Sequence, residues 1–266
     1  MSSHTHRPRT RRTHLILGAA GAAVALTLTA APPASASLLA AGSTVPDIGA
    51  PDLNTGFPSY YADADGTKLK LCVDSVNCLG GDPRPDPLAE ASVATGNLPD
   101  EAFYAVARAE ATLTGGGRIR WRAVLEGAFL NGEVFDGDQM TFTRVQVDGS
   151  KIARNYIGQT LTFKTPYGDL SASVKSDGTL VRARKESNPG LVGNFKPPAT
   201  DTRTGYGPRF LKWTGADAPA GFIGDPLQLH TVTGGTARNS FYVVNSAGTR
   251  VSDLVTQFEV AGQLAK

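Results

Sequence analysis

Hydrophobic and polar side chains alternate along several short segments of the chain, most clearly at residues 118–125. A repeat of two residues is typical of a β-strand with one buried face, whereas an amphipathic helix repeats about every 3.6 residues. Apolar residues and arginines alternate in this segment: Ile119, Trp121, Ala123 and Leu125 against Arg118, Arg120, Arg122 and Val124. We therefore predict a β-hairpin whose second arm is 118–125, whose first arm is 103–113 and whose turn is the glycine run at 115–117.

The first arm of this hairpin has two interpretations. Phenylalanine or alanine occupies every second position of residues 103–111, which favours a strand packed closely against another layer. Pro99 is followed by Asp100 and Glu101, a typical start of a helix, so an alanine-rich helix is the alternative. We favour the strand because of the alternation.

Further alternating segments follow at regular spacing, and Asp-Gly pairs mark several of the turns between them. The predicted strands span residues 139–147, 160–164, 171–175, 179–184, 210–213, 227–232 and 240–244, with a closing strand near 255–264. Short strands at this spacing are typical of sandwiches and barrels and not of α/β nucleotide-binding folds. The sequence predicts an all-β chain, with a β-sandwich of Ig-like or jelly-roll type and a C-terminal β extension.

Composition divides the chain into five predicted regions. They are a signal peptide at 1–36, a flexible N-terminal segment at 37–55, a β-sandwich domain at 56–187, a Pro/Gly-rich loop or linker at 188–208 and a C-terminal β layer at 209–266. The last region has about 60 residues, which is marginal for an independent core. We therefore favour one extended β unit, or a sandwich with a dependent C-terminal layer, over two autonomous domains.

The first 36 residues have the pattern of an export signal. Four arginines precede an apolar run at 15–31, and Ala34-Ser35-Ala36 supplies the small residues at which signal peptidase cleaves. A membrane anchor is the alternative, but a run of about 17 residues rich in alanine and glycine is short for a stable span. Residues 10–16 also resemble a twin-arginine motif, although we favour a general secretory signal. We expect a secreted, extracellular protein without a membrane span after cleavage.

Removal of this leader changes the charge of the chain. The full chain has 26 basic and 24 acidic residues, and loss of the four leader arginines turns its net charge of +2 into about −2. We therefore expect no nucleic-acid partner. Of the four histidines only His230 remains, and the chain has neither a Gly-x-Ser-x-Gly elbow nor a glycine fingerprint for a nucleotide. We expect no cofactor, and a serine hydrolase of the common kind is excluded.

The two cysteines and one acidic turn are candidates for structural cross-links. Cys72 and Cys78 are expected to form a disulfide in an oxidising compartment, and a zinc site is disfavoured because too few other ligands accompany them. Asp63 and Asp65 alternate in a turn that resembles the start of a calcium loop. The twelfth position of such a loop is Asp74 and not glutamate, so we favour a plain Asp-Gly hairpin turn and predict no metal site.

Two sets of side chains are candidates for function. Glycoside hydrolysis needs two carboxyl groups and no histidine, and the densest acidic segment supplies Glu126, Glu133, Asp136 and Asp138. Flat aromatic rings can stack on sugars, and the candidates for such a binding platform are Tyr60, Tyr61, Trp121, Trp213 and Tyr242. Tryptophan in a β-sandwich more often belongs to the core. The exposure of Trp121 therefore distinguishes the two interpretations.

Five blocks of the sequence are rich in glycine, aromatic and acidic residues. They lie at 56–61, 115–118 with 125–129, 136–139, 165–168 and 221–226. Together they resemble an uncharacterised family of exported actinobacterial β-rich proteins, and the resemblance covers most of the chain after the leader. It implies no activity and no catalytic residue, and it favours structural turns for these blocks.

These features lead to two hypotheses about function. The first is a secreted, non-enzymatic β protein that binds a polysaccharide or a protein partner at the cell surface or in the medium. The alternative is a secreted polysaccharide hydrolase that uses a carboxylate pair from residues 126–138. A groove with two carboxyl groups about 5 to 10 Å apart would favour the hydrolase. A flat face with exposed aromatic rings and no such pair would favour binding.

Overall fold

The structure, a computed structural model, describes residues 46–73, 77–78 and 84–266. The predicted signal peptide lies outside these residues, as do Asp74 and residues 37–45 of the predicted N-terminal segment. All the described residues belong to one compact unit. No helix among them has the length and hydrophobicity that a membrane crossing requires.

The described part of the chain forms fourteen β-strands, one short α-helix and one 3-10 turn. In chain order the strands are β1 (Asp47–Ile48), β2 (Tyr61–Ala62), β3 (Lys68–Lys70), β4 (Glu101–Thr112), β5 (Arg118–Phe129), β6 (Gln139–Ser150), β7 (Thr160–Thr165), β8 (Gly168–Ser173), β9 (Ala183–Ser187), β10 (Lys212–Trp213), β11 (His230–Thr233), β12 (Tyr242–Val244), β13 (Gln257–Ala261) and β14 (Gln263–Leu264). The helix α1 is Lys196–Thr200, and the 3-10 turn is Arg154–Tyr156. The predicted all-β class is confirmed.

The predicted glycine hairpin forms the centre of the fold. Strands β4 and β5 pair antiparallel along their lengths, with one bulge between Phe103 and Ala105. The amide of Leu113 donates to the carbonyl of Gly117 at 3.0 Å, and all three glycines at 115–117 have positive φ, which other residues rarely adopt. The hairpin is confirmed. The helical alternative for its first arm is wrong, because alternate alanines of β4 line the face that packs into the core.

Two sheets enclose the main core. Seven strands form the larger sheet in the order β10-β11-β13-β4-β5-β6-β9, and three form the smaller sheet in the order β12-β7-β8. The ring of Trp121 on β5 contacts the rings of Tyr167, Phe241 and Phe258, which come from distant parts of the chain. Strands β7 and β8 alternate buried and exposed positions. Each sheet thus has one face in the core, as in a β-sandwich.

The C-terminal region belongs to the same sheets as the rest of the chain. Strand β13 lies between β4 and β11, and β14 pairs with β3 in a four-stranded sheet of order β1-β2-β3-β14. Residues 188–208 contain α1 and the buried side chains of Asn188 and Tyr206. Asn188 Nδ2 donates to the carbonyl of Thr141 at 2.8 Å. Residues 188–208 are therefore packed against the sheet, and residues 209–266 complete it.

One predicted strand is displaced along the chain. Residues 179–184 were expected to be extended, but β9 begins at Ala183. The Asp177 carboxylate accepts a hydrogen bond from the Thr179 amide, and Leu180 forms an isolated bridge to Val174. Thr179 and Leu180 thus belong to the Asp-Gly turn, and β9 pairs with β6 from Ala183 onward.

Candidate functional site

The exposed face of the seven-stranded sheet carries an open groove of about 730 Å³. It crosses β13, β4, β5 and β6, whose ladder of backbone hydrogen bonds provides a rigid floor. Most of its lining is charged or polar, namely Arg108, Glu110, Arg120, Arg122, Gln146, Asp148, Thr256, Gln257 and Glu259. The apolar part of the lining consists of the exposed Leu229 and Leu254, with Ala109, Trp121 and Val255. The outward positions of four strands thus converge on one concave surface.

The register of the sheet aligns the groove side chains in rows. In one row Glu259 lies opposite Arg108, Arg108 lies opposite Arg122, and Arg122 lies opposite Gln146. Four strands at the usual spacing make this row about 14 Å wide. Donor and acceptor side chains therefore follow one another across the groove, from β13 to β6.

Four arginines on this face of the sheet are paired with carboxylates. The pairs are Arg118 and Arg120 with Glu110, and Arg144 and Arg184 with Glu186. In the groove itself, Arg120 Nε donates to Glu110 Oε2 at 2.9 Å. The exposed pairs with Glu110 contribute less than about 1 kcal/mol each to stability, but they give each arginine a carboxylate partner.

Arg108 and Arg122 differ from these four arginines. Within the described part of the chain, neither guanidinium makes a salt bridge or a hydrogen bond, and Arg122 Nε is buried without a partner. Burial lowers the pKa of both groups, and repulsion by Arg122 lowers the pKa of Arg108 further. Like charges directly opposite each other in a sheet are destabilising. The groove floor therefore holds two half-buried arginines that repel each other.

Gln146, the next residue in the same row, also has an unsatisfied atom. Its Nε2 donates to Asp148 Oδ2 at 3.2 Å, and its Oε1 is buried without a hydrogen-bond partner among the described residues. Buried polar atoms in folded proteins are nearly all paired, so an exception requires an explanation. Two such exceptions, on Arg122 and on Gln146, lie on neighbouring strands beneath one groove.

Glu126 lies on the same face of β5 as Arg122 and is only 3% exposed. Burial raises the pKa of Glu126 to about 8, and a hydrogen bond with Glu101 and repulsion by its charge contribute to the increase. Arg144, whose Nη1 is 4.0 Å from the carboxyl group, and Arg122 oppose it. Glu126 is therefore largely protonated at neutral pH and shares a hydrogen bond with a second carboxyl group.

The other acidic residues predicted for catalysis lie on the loop between β5 and β6. Glu133 and Asp136 are exposed, and Asp138 accepts a hydrogen bond from Asn131 Nδ2 at 2.7 Å. The structure places Glu126 against Glu101 instead, a residue that the acidic segment did not indicate. Two carboxyl groups in hydrogen-bond contact are closer than the separation of about 5 to 10 Å that glycosidases use.

Three of the aromatic residues proposed for a sugar platform belong to the core. They are Tyr61, Trp121 and Trp213, which are exposed by 0%, 1% and 8%. Their rings occupy inward positions of the strands, so they offer no ring face to a ligand in solvent. Tyr60 and Tyr242 are half-buried; the Tyr60 hydroxyl donates to Asp47 at 3.1 Å. Neither of these tyrosines lines the groove.

The predicted disulfide between Cys72 and Cys78 is confirmed, with 5.5 Å between the Cα atoms. The turn that resembled a calcium loop joins β2 to β3, and a lysine lies at its centre. Lys212 Nζ is 3.1 Å from Asp63 Oδ2 and 3.2 Å from Asp65 Oδ2. The ammonium group thus provides the positive charge that these carboxylates attract. The described residues contain no cluster of three or more metal-ligating side chains.

The sequence predicted only part of the groove. The alternation of Arg118, Arg120 and Arg122 predicted one charged strand face, but their neighbours on β4, β6 and β13 are distant in the chain. No family profile, curated protein or solved structure matches this chain. The class of ligand is therefore inferred from the geometry of the groove.

Proposed function

We propose that this chain is an exported, non-enzymatic protein that binds an extended polysaccharide in the groove of the seven-stranded sheet. The observation that carries the proposal is the lining of the groove, in which hydrogen-bonding side chains cover a rigid floor and Leu229 and Leu254 are exposed beside them. Ligand sites combine apolar contacts with a few placed polar groups. Sugar hydroxyls donate and accept hydrogen bonds, and sugar C–H surfaces pack against apolar side chains.

The composition of the groove favours a polysaccharide over a protein partner. The centre of a stable protein interface is depleted in charged residues and enriched in aromatic ones. Here the floor is charged, and the one aromatic residue of the lining, Trp121, is buried beneath it. Polar floor groups spread over four strands suit a ligand with many hydroxyl groups.

Export is supported by two features that are independent of the groove. The first 36 residues carry the pattern of a cleavable signal. The disulfide between Cys72 and Cys78 is of the kind that persists in oxidising compartments. A polysaccharide of the cell surface or medium is consistent with that location.

The carboxyl groups support binding more than hydrolysis. Glu126 is buried and shares a hydrogen bond with Glu101, and neither residue lines the groove. Glu133, Asp136 and Asp138 also lie outside the groove lining. The groove thus contains none of the four carboxyl groups from which a hydrolytic pair was expected.

Calorimetric titration with soluble polysaccharides tests the proposal, with reducing-sugar release measured in the same samples. Gln257→Ala, on the exposed side of β13, is expected to weaken binding about fivefold because one hydrogen bond is lost. Thr160→Ala, on the exposed face of the smaller sheet, is the matched control and is expected to leave binding unchanged. Equal affinities for wild type and Gln257→Ala would contradict groove binding. Sugar release that Glu126→Gln abolishes would establish hydrolysis instead.

A further inference from the structure

We propose that Arg108 and Arg122 form a carboxylate-binding clamp, and that the polysaccharide of this groove is therefore one that contains uronic acids. The inference rests on the proposed function and adds the chemical class of the ligand. It follows from the positions and the missing partners of two arginines, and from their contrast with the other arginines on the same face.

Arg108 and Arg122 extend from paired positions of neighbouring strands, so that both side chains can reach one anion. Arg108 and Arg122 are directly opposite on β4 and β5, which puts their Cα atoms about 5 Å apart. A guanidinium group offers a planar fork of N–H donors that matches a carboxylate. A carboxylate bound between the two would replace their repulsion with two attractive contacts.

The neighbouring carboxylates leave this pair available. Glu110 is engaged by Arg118 and Arg120, and Asp148 accepts a hydrogen bond from Gln146. Glu259 lies opposite Arg108 and attracts it, as Glu101 attracts Arg122, but neither carboxylate forms a salt bridge with either arginine within the described residues. The carboxylates among the described residues thus leave the N–H donors of both arginines unoccupied.

The surroundings of Arg122 fix its position and leave its polar edge unused. Its guanidinium lies over the ring of Phe103, with 4.9 Å to the ring centroid. Because Arg122 makes no hydrogen bond among the described residues, a small turn toward the groove costs no such bond. A stacked and half-buried arginine is a stronger anion site than an exposed one, because water screens its charge less.

The side chain of Gln146 favours a sugar acid over a simple anion as the ligand. Its Oε1, an acceptor without a partner in the described part of the chain, is on the residue opposite Arg122. A ligand that satisfies both residues carries a carboxylate for the arginines and, close to it, a hydroxyl group that can donate to the amide oxygen. A uronic acid has both groups on one ring. The side chains of an acidic peptide provide only the carboxylate.

The test compares charged and neutral forms of the same chain. Polygalacturonate and alginate are each titrated beside their methyl esters, which keep the backbone and remove the charge. The acid form is expected to bind at least about tenfold more tightly than its ester, and Arg122→Gln or Arg108→Gln is expected to remove that preference. Arg122→Lys, which keeps the charge and loses the fork, is expected to retain only part of it. Circular dichroism confirms that each variant is folded.

Arg118→Gln is the matched control, since Arg118 is on the same strand and sheet face but is paired with Glu110 and does not line the groove. It is expected to change the affinity for the acid forms by less than about twofold. Equal affinities for acid and ester forms, or an equal loss from Arg118→Gln and Arg122→Gln, would overturn the clamp. Tight binding of poly-glutamate would overturn the assignment of a uronic acid in favour of an acidic peptide. If the ester forms bind and Gln257→Ala weakens that binding, the proposed function stands without the clamp. If no polysaccharide binds, both the proposed function and the clamp are overturned.

Discussion

Replacement of Glu126 by glutamine is expected to remove a large part of the pH dependence of folding between pH 4.5 and pH 8. The folded state raises the pKa of Glu126 to about 8, from 4.5 in the unfolded chain, chiefly because the carboxyl group is buried. Between these values the folded protein keeps a proton that the unfolded chain has lost. The free energy of unfolding of the wild type therefore falls as pH rises through this window and levels off above pH 8.

The size of the effect follows from the difference between the two pKa values. Glu126 is 3% exposed, so solvent screening reduces the effect little. Integration of the linkage relation from pH 4.5 gives a loss of about 2 kcal/mol by pH 6 and about 4 kcal/mol by pH 8. Glutamine has nearly the shape of a protonated glutamate, is neutral at every pH in this range and can donate a hydrogen bond to Glu101. The variant is thus expected to match the wild type near pH 4.5 and to exceed its stability by about 4 kcal/mol at pH 8.

Urea unfolding at pH 5, 6, 7 and 8, followed by the fluorescence of the buried residues Trp121 and Trp213, measures the effect directly. Glu110→Gln is the control, because Glu110 is an exposed carboxylate on the same sheet face, and this variant is expected to keep the pH slope of the wild type. If the wild type and Glu126→Gln give parallel curves from pH 5 to pH 8, then Arg144 compensates the buried charge and the reasoning from burial fails.

Two further pairs of substitutions test what stabilises the turns. Lys212→Met removes the ammonium group beside the buried carboxylate of Asp63 in the β2–β3 turn, and it is expected to lower the unfolding free energy by about 3 kcal/mol in the same urea assay. Lys164→Met, the control, breaks an exposed pair with Asp169 and is expected to lower the unfolding free energy by less than about 1 kcal/mol. Gly117→Ala and Gly116→Ala both place a Cβ at positive φ, but only the former brings it to 2.8 Å from main-chain atoms of the next turn. A thermal melt is expected to show Gly117→Ala as the less stable by more than about 1 kcal/mol, and equal melting temperatures would show that this contact relaxes freely.

The strands of this fold were predictable where buried and exposed side chains alternate regularly along the sequence. The alternation at 118–125 and the glycines at 115–117 predicted the central hairpin. The observed second arm, β5, continues beyond the predicted end and stops at Phe129. The strand at 179–184 was displaced because local hydrogen bonds of the Asp-Gly turn compete with pairing to β6. Which strands share a sheet was not predictable, because β13 pairs with β4 across about 150 residues of chain.

Candidate site residues were harder to predict because exposure depends on the whole fold. Trp121 carries a ring that is suited to stacking on a sugar, and the hairpin pattern alone did not show that a second sheet covers it. Glu126 was visible as an acidic residue, but Glu101, which contacts it, lies on the preceding strand. In both cases the relevant neighbour comes from another strand or sheet, and its distance is set by tertiary packing.

The contrast between Arg120 and Arg122 shows how a turn can determine a binding site. The two residues are two positions apart on one strand and face the same side, yet Arg120 lies opposite Glu110 and Arg122 lies opposite Arg108. A slip of the hairpin by two residues would keep every apolar side chain on its own face, because faces repeat every second residue. It would nevertheless bring Glu110 opposite Arg122 and neutralise the pair. The glycine turn, which closes the hairpin at Leu113 and Gly117, therefore sets the charge of the groove as well as the register of the sheet.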